Sequence, residues 1–184
     1  MKRFLLAILA LFCVSSVIAI AAEKEKTHIR AKLFGIEEIP ATIISDGTGL
    51  FTATVNDDST ITYTLSWKNL SAPAVQAHIH IGAIKTAGGI PLFMCGPATT
   101  PAKQTCPNDP TNNSGSVSGT LTAADVVGGA AAQGVPVGDI TPIIRAIATG
   151  VTYVNIHSAT HLGGEIRGQI RSQADEDDEL PGAR

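Results

Sequence analysis

Thr48-Gly49-Leu50-Phe51-Thr52-Ala53-Thr54-Val55-Asn56-Asp57-Asp58-Ser59-Thr60-Ile61-Thr62-Tyr63-Thr64-Leu65-Ser66-Trp67 reads as two strands around one turn. Successive side chains of a strand face opposite ways, so Phe51, Ala53 and Val55 share one side of the first and Thr52 and Thr54 the other. The second separates Ile61, Tyr63, Leu65 and Trp67 from Thr60, Thr62, Thr64 and Ser66. Asn56-Asp57-Asp58 carries the turn chemistry between them. β-Branched and aromatic residues at this spacing predict an antiparallel sheet with one wet face.

Outward from this hairpin the same alternation recurs at residues 28–34, 75–81, 114–121, 151–157 and 165–170. Residues 86–114 are rich in Gly, Pro, Asn and Thr and predict a long loop, broken by a short apolar piece at 90–94. Residues 122–127 start like a capped helix with Thr122 at the N-cap. A second helix is expected over 140–148, where Ile143, Ile144 and Ile147 have helical spacing and Gly150 is a stop. The whole predicts a mostly β domain, an antiparallel β-sandwich or squat β-barrel with one or two short helices.

Lys2 and Arg3 precede an apolar run over residues 4–20 and the small-x-small series Ala19-Ile20-Ala21, the pattern of a signal peptide over residues 1–21. An uncleaved anchor is the alternative, and either would export the rest. The roughly 160 residues that follow suit one domain with its own core. The expected division is a polar lead-in at 22–29, a domain at 30–171 and an acidic disordered tail at 172–184, where Asp175-Glu176-Asp177-Asp178-Glu179 supplies five negative charges. The net charge falls from −3 to −5 when Lys2 and Arg3 are removed, so the body itself is nearly neutral. It offers no basic stripe for a phosphate backbone, which argues against nucleic acid as a partner. No later stretch is long and apolar enough to span a bilayer, so no membrane association is expected after cleavage. Cys13 lies in the leader, which leaves Cys95 and Cys106. An even pair in an exported protein reads as a disulfide, and an oxidising compartment disfavours the alternative of thiolate metal binding.

Four of the five histidines lie in or beside Ala77-His78-Ile79-His80-Ile81-Gly82 and Tyr153-Val154-Asn155-Ile156-His157. Alternation puts His78 and His80 on one face, Asn155 and His157 on one face, and Glu165, Arg167 and Gln169 on one face of Gly164-Glu165-Ile166-Arg167-Gly168-Gln169-Ile170. If these strands are neighbours, His78, His80, Asn155, His157, Glu165 and Arg167 form one polar cluster. A His-x-His pair on one strand and a third imidazole from the next would suit copper or zinc, with His78, His80 and His157 as ligands and His161 as a fourth. The competing interpretation is a buried polar network in which Glu165 pairs with Arg167 and no ligand binds. No serine has a base positioned by the sequence, so no catalytic residues are assigned.

Gly35-Ile36-Glu37-Glu38-Ile39-Pro40, Gly49, Ile61-Thr62-Tyr63-Thr64-Leu65, the histidine strand, Gly119-Thr120-Leu121-Thr122, Tyr153-Val154-Asn155-Ile156-His157-Ser158 and the 164–170 segment together resemble the CHRD domain. That domain is named for chordin, an extracellular antagonist of bone morphogenetic proteins, and also occurs in secreted microbial proteins. The resemblance spans residues 30–171. One copy without cysteine-rich modules resembles the single-domain microbial type, and growth-factor antagonism is not carried over. The resemblance implies a secreted or periplasmic, non-enzymatic binding module with an extracellular or cell-surface protein as partner. A histidine-cluster copper or zinc protein is the alternative. Cu/Zn superoxide dismutase also places a His-x-His strand in a β-barrel with an arginine near copper, Arg167 being an analogue by type, but a second His/Asp zinc-loop set is missing here.

Overall fold

The computed structural model describes residues 26–57 and 59–173. The expected leader at 1–21 and the acidic run at 175–179 lie outside them. Among the described residues nine strands form one antiparallel sheet: β1 (Thr27–Phe34), β2 (Thr48–Val55), β3 (Ile61–Lys68), β4 (Ala74–Ile81), β5 (Leu92–Cys95), β6 (Gly115–Leu121), β7 (Thr152–Ser158), β8 (Ile166–Gln169) and the two-residue β9 (Arg171–Ser172). Their order is β5-β4-β7-β8-β1-β2-β3-β6, with β9 on β1. The terminal strands β5 and β6 approach each other, so the sheet curls into a nearly closed barrel. Of the two architectures the sequence allows, the barrel is therefore adopted. Gln104 spans the gap, its amide donating to Met94 O (3.5 Å) on β5 and Ser118 O (3.3 Å) on β6.

The hairpin forms in the register its alternation demands, with Phe51 opposite Leu65 and Ala53 opposite Tyr63. Its inward side chains join Ile29, Ala31, Leu33, Ile79, Val154, Ile156 and Ile166 in one core. The N–H of Asn56 closes the turn on Thr60 O at 2.9 Å. The helix α1 spans Thr141–Ala148, buries Ile143 and Ile147, and ends before Gly150, whose φ is +69°. At 122–127 the expected helix is only the 3-10 turn Ala123–Asp125; Asp125 still accepts from the Thr122 N–H (2.8 Å) and hydroxyl (2.9 Å).

Three expectations need correction. β1 starts at Thr27, inside the expected lead-in at 22–29. Residues 86–114 are not all loop, because Leu92–Cys95 adds β5 to the histidine strand, pairing Phe93 with His78. Four residues between Pro91 and Gly96 are too few for alternation to declare a strand; the edge of β4 recruits them. The single wet face also fails for part of the sheet. β3 alternates buried and exposed, but every residue of β7 is buried, because the segments 35–40, 82–89 and 159–164 cover its outer side.

Cys95 and Cys106 are bonded, with Cα atoms 4.9 Å apart, pinning the loop that leaves β5. Closing a loop of this length restricts the unfolded chain by about 2–3 kcal/mol. The Cys95→Ala, Cys106→Ala double variant should therefore lose about that much stability in urea unfolding, while keeping the native far-ultraviolet circular dichroism. An unchanged midpoint would show that the bond does not stabilise the fold.

Candidate functional site

The pairing of β4, β7 and β8 builds a polar row on the outside of the barrel. Ala77, Ile79, Val154, Ile156 and Ile166 point into the core. Their alternating neighbours must point away. The register sets His78 opposite Asn155, Asn155 opposite Arg167, and His80 opposite Tyr153. A bulge between Ala74 and Gln76 carries the start of β4 past the end of β7, where Gln76 pairs with His157.

His78 sits between the other two imidazoles, its ring centroid 4.6 Å from that of His80 and 4.7 Å from that of His157. The outer two are held from behind. His80 Nδ1 donates to Gly88 O (2.8 Å) and His157 Nδ1 to Leu162 O (2.6 Å). A carbonyl only accepts, so the hydrogen lies on Nδ1 and Nε2 carries a bare lone pair in each neutral ring. Both Nε2 atoms are buried without a hydrogen-bond partner, and so are both nitrogens of His78. Burial holds the rings neutral: it depresses His78 to about 2 and His80 to about 4, and lowers His157 as well.

Beside the imidazoles lie Glu38, Asn155, Arg167 and Tyr153. Asn155 donates its amide to Glu38, whose carboxyl is pushed up to about 7 by burial. Arg167 lies 3.4 Å above the Tyr153 ring, and its Nη2 donates to Thr86 O (2.9 Å) and Ala83 O (3.4 Å). On Tyr153 stacks His80, with ring planes 7° apart and centroids at 4.4 Å. Two glycines let backbone come this close. A Cβ on Gly164, at φ +124°, would lie 2.6 Å from Asn155 Nδ2 and 2.8 Å from Glu38 Oε2, and one on Gly88 would lie 1.6 Å from Ile81 O.

His78, His80, Asn155, His157 and Arg167 are thus brought onto one patch, but Glu165 is not. Its carboxylate accepts from Ser45 Oγ (2.6 Å), Ser71 N (2.8 Å) and Ser71 Oγ (2.9 Å), so it does not pair with Arg167. Glu165 sits in a bend just before β8, which begins at Ile166, so the strand alternation that orients Arg167 does not extend to it. His161 is held through its backbone, by Ser158 Oγ (3.2 Å) and the Gly164 N–H (3.1 Å), and the ring contacts joining the other three do not reach it. No group of three or more His, Cys, Asp and Glu side chains among the described residues is disposed to hold a metal ion as the chain stands. Sequence reasoning missed Glu38 and Tyr153. Tyr153 was findable, since it alternates with Asn155 and His157; Glu38 reaches the site through a turn, which periodicity does not address.

A small antiparallel β-barrel with one histidine-lined, covered outer face is therefore the class of domain that the fold and site define. The family model of the CHRD domain matches residues 29–170, most of the 184-residue chain, and the chain belongs to that family. No curated protein and no solved structure matches it. The family is one of extracellular, binding-type modules.

The buried titrating groups make stability depend on pH with opposite signs. Unfolded imidazoles take up protons below about 6.5 that folded His78 and His80 refuse until about 2 and 4, so their contribution is lost as pH falls from 6.5 through that window. Glu38, raised from 4.5 to about 7, holds a proton in the folded state that the unfolded chain releases, so its contribution is lost as pH rises from 4.5 through 7. The imidazoles outnumber the carboxyl. The melting temperature should fall on acidification from pH 6.5 to pH 4, His78→Leu should flatten that limb, and Glu38→Gln should flatten the opposing slope toward pH 7. Thermal unfolding across pH checks all three, and an acid limb unchanged in His78→Leu would refute the assignment.

Proposed function

We propose that this CHRD domain is an exported, non-enzymatic binding module, and that its ligand is a copper or zinc ion held by His78, His80 and His157. The carrying observation is the set of buried imidazole nitrogens without partners, at rings whose far nitrogens are tied to backbone carbonyls. Buried polar atoms are almost always satisfied, and leaving one unmade costs about 1–3 kcal/mol. A metal-bound histidine characteristically donates its other N–H to a carbonyl or carboxylate, which sets ring and tautomer. Neutral imidazole is also the form that coordinates. The donors do not form a converged ligand set among the described residues, so binding requires the rings to reorient. Export is supported by the leader pattern at residues 1–21 and by the Cys95–Cys106 bond, which suits an oxidising compartment.

A second interpretation, contact with an extracellular or cell-surface protein, draws on Ile36 (59% exposed), Ile84 (55%) and Leu162 (70%), which stand out from the three segments covering the histidine face. Calorimetric titration of tag-free, disulfide-intact protein at pH 7 separates the two. Stoichiometric uptake of copper or zinc is expected, weakened at least tenfold by His78→Ala or His157→Ala and unchanged by His28→Ala. Uptake insensitive to both cluster variants would remove the site, and no uptake would leave the protein-contact interpretation.

A further inference from the structure

Independently of the metal-binding reading above, we infer that the acidic run Asp175-Glu176-Asp177-Asp178-Glu179 docks on the outer face of β9, β1 and β2 of its own chain, against Arg30 and Arg171, and closes that face to other anions. The pairing of β9 with β1 is the first reason. It sets Arg171 directly opposite Arg30 and Ser172 opposite Ile29. Directly opposite residues of an antiparallel pair share a face, and Ile29 belongs to the core, so both arginines leave outward. Like charges in that arrangement repel. Residues 30 and 171 are neighbours only in the fold, so this concentration of charge does not show along the sequence.

The surroundings of the pair are cationic or neutral. Lys32 leaves β1 on the side of Arg30, and across the sheet Arg30 stands opposite Thr52 and Thr52 opposite Thr64. Not one Asp or Glu occurs in β1, β2, β3, β6 or β9. A shallow concavity of about 510 Å³ lies here, and His28, Arg30, Thr52, Thr54 and Thr64 are among the residues that line it. Threonine hydroxyls donate hydrogen bonds to carboxylates, and guanidinium matches a carboxylate through paired N–H groups. Arg30, Lys32 and Arg171 are too few for the roughly 6–10 phosphate contacts of a nucleic-acid site. A short run of carboxylates needs no more.

Where the described residues end is the third reason. Gln173 has the parity of Arg171 and lines the same concavity, and Asp175 follows two residues later. At about 3.3–3.6 Å per residue, the run 175–179 reaches from about 7 to about 20 Å beyond Gln173, and neighbouring strands are only about 4.7–4.9 Å apart. Its carboxylates therefore span both arginines and the threonines of β2 and β3 without leaving this side of the barrel. The histidine strands β4 and β7 lie beyond β8. Tethering this close gives the five negative charges a high effective concentration at the arginine pair.

The experiment compares nitrogen-15 amide spectra of the disulfide-intact protein with those of a variant of the same length whose tail is neutralised by Asp175→Asn, Glu176→Gln, Asp177→Asn, Asp178→Asn and Glu179→Gln. Differences are expected at Arg30, Thr52, Thr64 and Arg171 as well as in the tail, and none at His78 or His157. They should shrink by at least half as salt rises from about 10 mM to about 1 M, because the screening length drops from about 30 Å to about 3 Å. Arg171→Gln should move the tail signals toward their high-salt positions. A penta-glutamate peptide should shift Thr52 and Thr64 of the neutral-tail variant at a concentration at least tenfold lower than it does in the wild type. Differences confined to the tail and its sequence neighbours, or insensitive to salt, would overturn the inference, and so would an equal response of both proteins to the peptide. Shifts that grow with protein concentration would overturn it too, by placing the tail on a second copy.

Discussion

The antiparallel pairing of β4 with β7 decides what both sides of the barrel wall contain. With His78 opposite Asn155, the same register that sends Ile79 and Val154 inward sends imidazole, amide and phenol outward. A slip of β4 by one residue would exchange its two sets and place two imidazoles, His78 and His80, in the apolar core. The hydrophobic demand of the interior therefore fixes the polar face as firmly as the core itself. β8 extends the row to Arg167 because Ile166 answers to the same interior.

That outer face would be an ordinary wet surface if the connections ran elsewhere. Instead the segment 82–89 is laid over it, secured by Arg167 at Thr86 O, by His80 at Gly88 O and by the Gly88 N–H at Tyr153 Oη (3.3 Å). The turn at 35–37 is joined to it by the Lys85–Glu37 ion pair at 2.8 Å, an exposed contact of small energetic value. Segment 159–164 closes the remaining side through Leu162 O and Gly164. Side chains of the sheet thus serve as anchors for the loops, and the loops in turn remove those side chains from water.

Desolvation then sets the chemistry. Histidine tolerates burial by giving up its proton, whereas Glu38 tolerates it by keeping one. Around neutral pH the covered face therefore holds neutral imidazoles, a carboxyl near its midpoint and one guanidinium stabilised by a ring face and two carbonyls. Such a face is rich in lone pairs and poor in negative charge, which distinguishes it from oxygen-lined sites for hard cations.

Alternation in Thr48–Val55 and Ile61–Lys68 was enough to determine the hairpin, since each inward apolar residue has a polar neighbour at period two. The same periodicity determined which side of β4 carries His78 and His80, and the even pair of cysteines determined the disulfide. β5 was not legible, because four residues without a period depend on the strand they dock against. Nor was Glu38, whose carboxyl is brought to Asn155 by a turn. Glu165 was assigned by alternation to the face of Arg167, but it lies in a bend before β8 begins at Ile166, where the period of two no longer governs its side chain. Local pattern states which way a side chain leaves its own strand; which strands become neighbours, and whether a loop then excludes water from their outer face, is a long-range matter that only the tertiary structure decided.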